Sequence, residues 1–148
     1  MTSLEIQGDL PDSISADLLQ NIAEHILGLE AADTDFEIAL LLTDSGQMRE
    51  YNRKFRGVDG FTDVLSFEGE VLDLGGRNLR LCDIIIDTNQ VFRQKGQNTY
   101  NEEFWQVLIH ALLHLAGYDH IKPADKKKME DAEENYRKQI PGAQKRGY

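Results

Sequence analysis

Three of the chain's four histidines fall between His110 and His120, inside the run VLIHALLHLAGYDH. His110 and His114 are four apart in a stretch that reads as buried helix, so their rings lie on one helical face, one turn above the other. Gly117 follows, and glycine can take the left-handed conformation that stops a helix and reverses the chain. That reversal can bring His120 back to the same point. Three imidazoles from a helix and its return loop make an open zinc site whose fourth position is left to water. Nickel and iron also accept imidazole, so spacing alone does not choose among the three metals. A single histidine on an apolar helix is ordinarily a core residue with a hydrogen-bond partner. Two on a helix this apolar would cost free energy unless something binds them. The zinc-protease pattern H-E-x-x-H places a glutamate general base after the first histidine. Here that position is Ala111, so peptide hydrolysis by that route is not expected.

These ligands need a scaffold, and 148 residues suffice for one domain with a proper core, expected over 1–148 with 141–148 as a loose tail. No apolar run approaches the roughly 20 residues that span a bilayer. No basic region precedes an apolar segment at the N-terminus, so no secretion signal is expected. The single cysteine, Cys82, cannot form an internal disulfide and sits in an apolar run, as a buried thiol would. Both features fit a reducing cytoplasm. The net charge of −10 is unevenly spread. Residues 1–48 hold ten acids and no lysine or arginine, and the rest of the chain balances its 16 basic residues with acids. A solvated, solubilising surface accounts for the acidic third. The neutral remainder can still carry a local basic patch, and local field matters more than the total.

The periodicities predict the following elements. A short strand covers residues 4–8. An amphipathic helix carries Ile14, Leu18, Ile22, Ile26 and Leu29, with caps among Asp12–Ser15, and ends near Gly28. His25 sits at its margin, as a boundary residue and not a ligand. Phe36–Thr43 is a central strand. Asp44 and Ser45 cap a helix whose buried stripe is Met48, Tyr51, Asn52 and Phe55. Its other face carries Arg49, Arg53 and Arg56, either a solvated face or a phosphate-contacting ridge. Gly57–Gly60 breaks that helix. Thr62–Phe67 is a short strand, and residues 71–74 form a hairpin with the strand Leu79–Ile86, whose three isoleucines suggest burial on both faces. Asp87 or Thr88 caps a short helix that Gly96 ends. Thr99 with Glu102 is a capping box that opens the helix of His110. Pro123 suits the first turn of a last helix running to Gln139. Its Met129 and Tyr136 face inward, and Lys126–Lys128 are either solvated or placed to meet a polyanion. Strands interspersed with helices around one central apolar helix give an α+β or α/β layered domain. The strand order does not follow from the sequence.

With these motifs in place the chain resembles the YbeY family of metal-dependent hydrolases. The resemblance rests on His110-x3-His114-x5-His120, on Phe55-Arg56-Gly57 followed by Thr62-Asp63-Val64-Leu65-Ser66-Phe67, and on Asp83-Ile84. It implies a zincin-like α+β fold, a small mixed sheet with about five helices. It implies one zinc ion held by His110, His114 and His120. It further implies a single-strand endoribonuclease acting in ribosomal RNA maturation at the small subunit and in ribosome quality control, with Arg56 matching the arginine the family uses for activity. One departure is Cys82, where the family usually has glycine, so a side chain must find room there.

On this reading zinc supplies a Lewis acid or an acidified water, and Arg56 pairs with phosphate oxygens. No general base is evident, and water and a 2′-hydroxyl both remain as nucleophile. Asp83 or Asp119 is either an orienting partner of a ligand histidine or a turn and capping residue. Two competing functions stand beside the nuclease: a metal-dependent hydrolase of another substrate, and a ribosome-assembly factor with a structural or vestigial metal. Three protein ligands, not four, weigh against a closed structural site.

Overall fold

The computed structural model describes residues 1–119 and 121–140. The expected ligand His120 and the expected loose tail lie outside the described residues. In chain order the elements are β1 (Thr2–Gln7), α1 (Ala16–Glu30), β2 (Thr34–Thr43), α2 (Ser45–Arg56), β3 (Val64–Asp73), β4 (Asn78–Asp87), α3 (Thr88–Gln94), α4 (Tyr100–Leu115) and α5 (Pro123–Gln139). The fold is α+β. One four-stranded mixed sheet runs in the order β1-β2-β4-β3, with β1, β2 and β4 parallel and β3 antiparallel to β4.

Alternation decides the faces of the sheet. Phe36, Ile38, Leu40 and Leu42 of β2 and Cys82, Ile84 and Ile86 of β4 point into one core with the buried residues of α1, α4 and α5. Ile85 points the other way and is also buried, against Met48 of α2 and Leu65 of β3. The expected burial of the isoleucine run on both faces is therefore observed. In α1 Leu19, Ala23, Ile26 and Leu27 are buried, with Leu18 and Ile22 half-buried against the same core, so the expected stripe holds except at Leu29 and is widened by Leu19, Ala23 and Leu27. Ser15 caps the helix, so Ile14 precedes it and packs into the core from outside, while Leu29 is 63% exposed. His25 is exposed and hydrogen-bonds Gln139 at 2.8 Å, the boundary position expected.

The two short segments expected between Thr62 and Leu74 form one strand. β3 pairs with β4 from Val64 to Asp73, with its register shifted between Glu68 and Val71. Acidic residues and a glycine interrupt the apolar alternation there, which hides the continuity. Gly69 is required at this bulge, because a Cβ on it would meet the Leu81 carbonyl oxygen at 2.6 Å. The bulge begins at Glu68, the residue opposite Cys82. Cys82 finds its room in the main core, 4% exposed, and burial pushes its thiol up to about 11. It is an inert thiol at neutral pH.

α4 is the most buried helix, with Phe104, Trp105, Leu108, Ile109, Ala111, Leu112 and Leu113 at or below 1% exposure. Thr99 Oγ1 accepts from the Glu102 backbone N–H at 3.1 Å, and the Glu102 carboxylate accepts from that of Thr99 at 2.7 Å. This reciprocal cap fixes where the helix starts and hence which way its histidines face. Among the described residues no helix is long and apolar enough to cross a membrane.

Candidate functional site

Two of the three expected ligands lie within the described residues, and they come together. The rings of His110 and His114 sit on one face of α4, centroids 4.7 Å apart and nearly perpendicular. Both line an open cleft of about 530 Å³ together with Arg56 from the end of α2 and Thr62, Asp63, Ser66 and Glu68 from the segment entering and forming β3. Arg56 thus shares a cleft with histidines more than fifty residues later in the chain, because β3 packs against α4.

Each imidazole is held through Nδ1. His110 Nδ1 lies 3.3 Å from Glu133 Oε1, and His114 Nδ1 lies 3.0 Å from the backbone carbonyl of Tyr118. A carboxylate and a carbonyl both accept, so each Nδ1 carries the hydrogen, and Nε2 is the nitrogen with a lone pair to offer. This is the outer arrangement that metal-ligating histidines use. Glu133 is 12% exposed and has Arg137 at 3.9 Å. The Tyr118 end is anchored from the far side of the molecule. Glu30, at the end of α1, accepts from the Tyr118 hydroxyl at 2.9 Å and from the Tyr136 hydroxyl at 2.6 Å. Burial, aided by the carboxylate, pushes both phenols above their ordinary values. They are donors at any working pH.

The three arginines of α2 divide. Arg49 donates to both oxygens of Asp59, at 2.7 and 3.1 Å, and Arg53 pairs with Glu50. Arg56 lines the cleft, is exposed, and has no acidic partner among the described residues. Lys126 and Lys127 pair with Glu130 and Asp131 along α5, in keeping with a solvated face.

The sequence offered Asp83 and Asp119 either as orienting partners or as turn and capping residues. Asp119 Oδ1 accepts from the Ile121 backbone N–H at 3.1 Å, the turn alternative. Asp83 is exposed on the opposite face of the sheet, in a groove with Tyr51, Phe55 and Phe67, and does not line the cleft. Glu133, the Tyr118 carbonyl and Glu30 do the orienting, and Asp63 and Glu68 are the carboxylates that line the cleft. Asp63 accepts from Gln94 at 2.9 Å, and Glu68 pairs with Arg80 at 2.8 Å. Asp63 lies inside the TDVLSF motif and carried that much signal. Glu133 carried none, because its contact with His110 bridges two helices.

Two imidazoles oriented through Nδ1 fit a divalent transition metal, and His120 is the expected third donor.

Known proteins resemble the chain over most of its length. A family model described as Endoribonuclease YbeY matches residues 5–141. The chain is 39% identical over 123 residues to an Endoribonuclease YbeY of Fusobacterium nucleatum, covering 78% of this chain and 75% of the relative. It is 37% identical over 138 residues to one of Desulfitobacterium hafniense, covering 86% of each. The solution structure of TM1509 from Thermotoga maritima superposes with a TM-score of 0.59 at 30% identity, over 90% of this chain and 85% of that one.

Proposed function

The chain belongs to the YbeY endoribonuclease family, and on that premise we propose that it is a zinc-dependent endoribonuclease that cuts single-stranded RNA. His110, His114 and His120 hold the metal, and Arg56 holds the scissile phosphate. The setting is maturation of ribosomal RNA and quality control at the small subunit, in the cytoplasm. The observation that carries this reading is that Arg56, without an acidic partner among the described residues, shares a cleft with two imidazoles held through Nδ1.

A guanidinium presents two parallel N–H donors, which match two phosphate oxygens. Arg49 and Arg53 cannot do this work without giving up Asp59 and Glu50. When bound, zinc supplies a fixed positive charge and Lewis acidity next to the phosphate. Glu133 and the Tyr118 carbonyl keep the ligand nitrogens aimed into the cleft, and Asp63 and Glu68 line the same cleft. A cleft of about 530 Å³ is of small-ligand size, a volume suited to an unpaired nucleotide and its neighbour.

The test compares chelator-treated and zinc-reloaded protein on a single-stranded oligoribonucleotide, its duplex and a peptide. Cleavage of the single strand alone, lost with the metal and restored by zinc, is the expected result. Equal cleavage without metal removes the zinc role, and cleavage of peptide but not RNA removes the nuclease role.

A further inference from the structure

The segment joining α2 to β3 presents apolar side chains to water. Val58 is 47% exposed and Phe61 is 61% exposed, and Phe55, at the end of α2, is 53% exposed. A floppy loop with such residues would call for no explanation, but this one is pinned in three places. Gly57, with φ +69°, closes α2, and its N–H and that of Val58 bond back to Arg53 and Asn52. Asp59 is clamped by both donors of Arg49. The buried Asn52 side chain donates to the Gly60 carbonyl at 3.1 Å. Phe61 follows directly, so the fold holds its ring outward in a fixed position. The Arg49 guanidinium lies 5.7 Å from the ring centroid, on the helix face that also carries Arg56 two turns on. Thr62, the next residue, lines the cleft.

An exposed aromatic ring one residue along the chain from the lining of the Arg56 cleft, with the Arg49 guanidinium beside it, has the chemistry of a platform for an unpaired base. Base–aromatic stacking tolerates any sequence because every base has a π-face, and arginine adds cation–π attraction and charge for the backbone. Seven residues of helix separate Arg49, beside the ring, from Arg56, a span of about 10 Å, so a strand whose phosphate Arg56 holds can pass the ring. We infer that Phe61 is a stacking subsite for an unpaired nucleobase flanking the nucleotide whose phosphate Arg56 holds. The inference rests on the nuclease reading and deepens it. Selection for single strands then has a local cause, since a base held in a duplex cannot offer its face to Phe61.

The experiment uses the full chain and a fluorescent ten-nucleotide single-stranded RNA, fully 2′-O-methylated for binding and unmodified for cleavage. Phe61→Leu keeps an apolar side chain without a π-face and should weaken binding and raise KM about ten-fold, leaving kcat near its original value. Phe61→Trp should bind as the unaltered chain does. Its introduced indole should be quenched by the oligonucleotide, while Trp105, 1% exposed, is not. Unchanged binding by Phe61→Leu, or an unquenched indole, overturns the subsite. A chain that binds the methylated strand through Phe61 but never cuts the unmodified one keeps the subsite and overturns the nuclease. A chain that cuts with the same KM in Phe61→Leu does the reverse.

Discussion

Glu133 of α5 reaches across to α4 and meets the imidazole of His110, Oε1 to Nδ1 at 3.3 Å. The contact joins two helices that the sequence treats as separate elements. It makes α5, otherwise a polar helix with few buried residues, part of the candidate site.

Glu133→Gln keeps the shape and an acceptor but removes the charge that favours a basic Nε2. Zinc affinity, read by competition with a chromogenic chelator, should fall about ten- to a hundred-fold, while the thermal midpoint of the metal-free protein moves little. Unaltered affinity would remove Glu133 from the site.

Arg56→Ala should leave both zinc content and stability intact, within about 0.5 kcal/mol, because the side chain is exposed and unpaired among the described residues. Cleavage of single-stranded RNA should drop by about a hundred-fold or more, the usual cost of removing one donor from a developing anion. Full activity in this variant would take Arg56 out of the mechanism.

Glu30→Ala leaves the hydroxyls of Tyr118 and the buried Tyr136 without their shared acceptor. Denaturant unfolding should show a loss of about 1–3 kcal/mol. Zinc affinity should fall as well, since the Tyr118 carbonyl that holds His114 is released. Tyr136→Phe removes one of the same bonds away from the metal loop and should lower stability without changing affinity. Equal effects on affinity would show that Glu30 acts through general stability.

The Arg77 guanidinium, with help from the terminal ammonium of Met1, holds the Asp35 carboxyl well below the usual carboxylate range. A carboxyl depressed in the folded state stabilises above its unfolded value, near 3.9, and the contribution fades as pH falls further. Asp35→Asn should therefore lower stability at neutral pH, with the gap to the unaltered chain narrowing below about pH 4. Acid titrations followed by circular dichroism would show a constant gap if the pair contributes nothing.

Local patterns made much of this molecule legible. The capping box at Thr99 and Glu102, the apolar surroundings of His110 and His114, and Pro123 at the start of α5 each act within a few residues, and each is where the sequence put it. What escaped depends on contacts between distant segments. The continuity of β3 across Gly69 is set by its partner β4. Glu133 and Glu30 face their partners only after α1, α4 and α5 have packed. Asp83 and Asp119 were the nearer acids by sequence, and of these Asp119 takes the turn alternative while Asp83 lies on the other face of the sheet.

The parallel pairing of β2 with β4 sets an order of assembly. Thr34 pairs with Asn78, so all of α2 and β3 must be looped out before the two strands can meet, whereas the β3–β4 hairpin closes over a short turn. Closing such a loop is the slow, entropically costly part of folding. Arg56 and the Thr62–Ser66 segment ride on that loop, and the histidines come after it. A chain in which β2 and β4 have not yet met therefore lacks the assembled cleft.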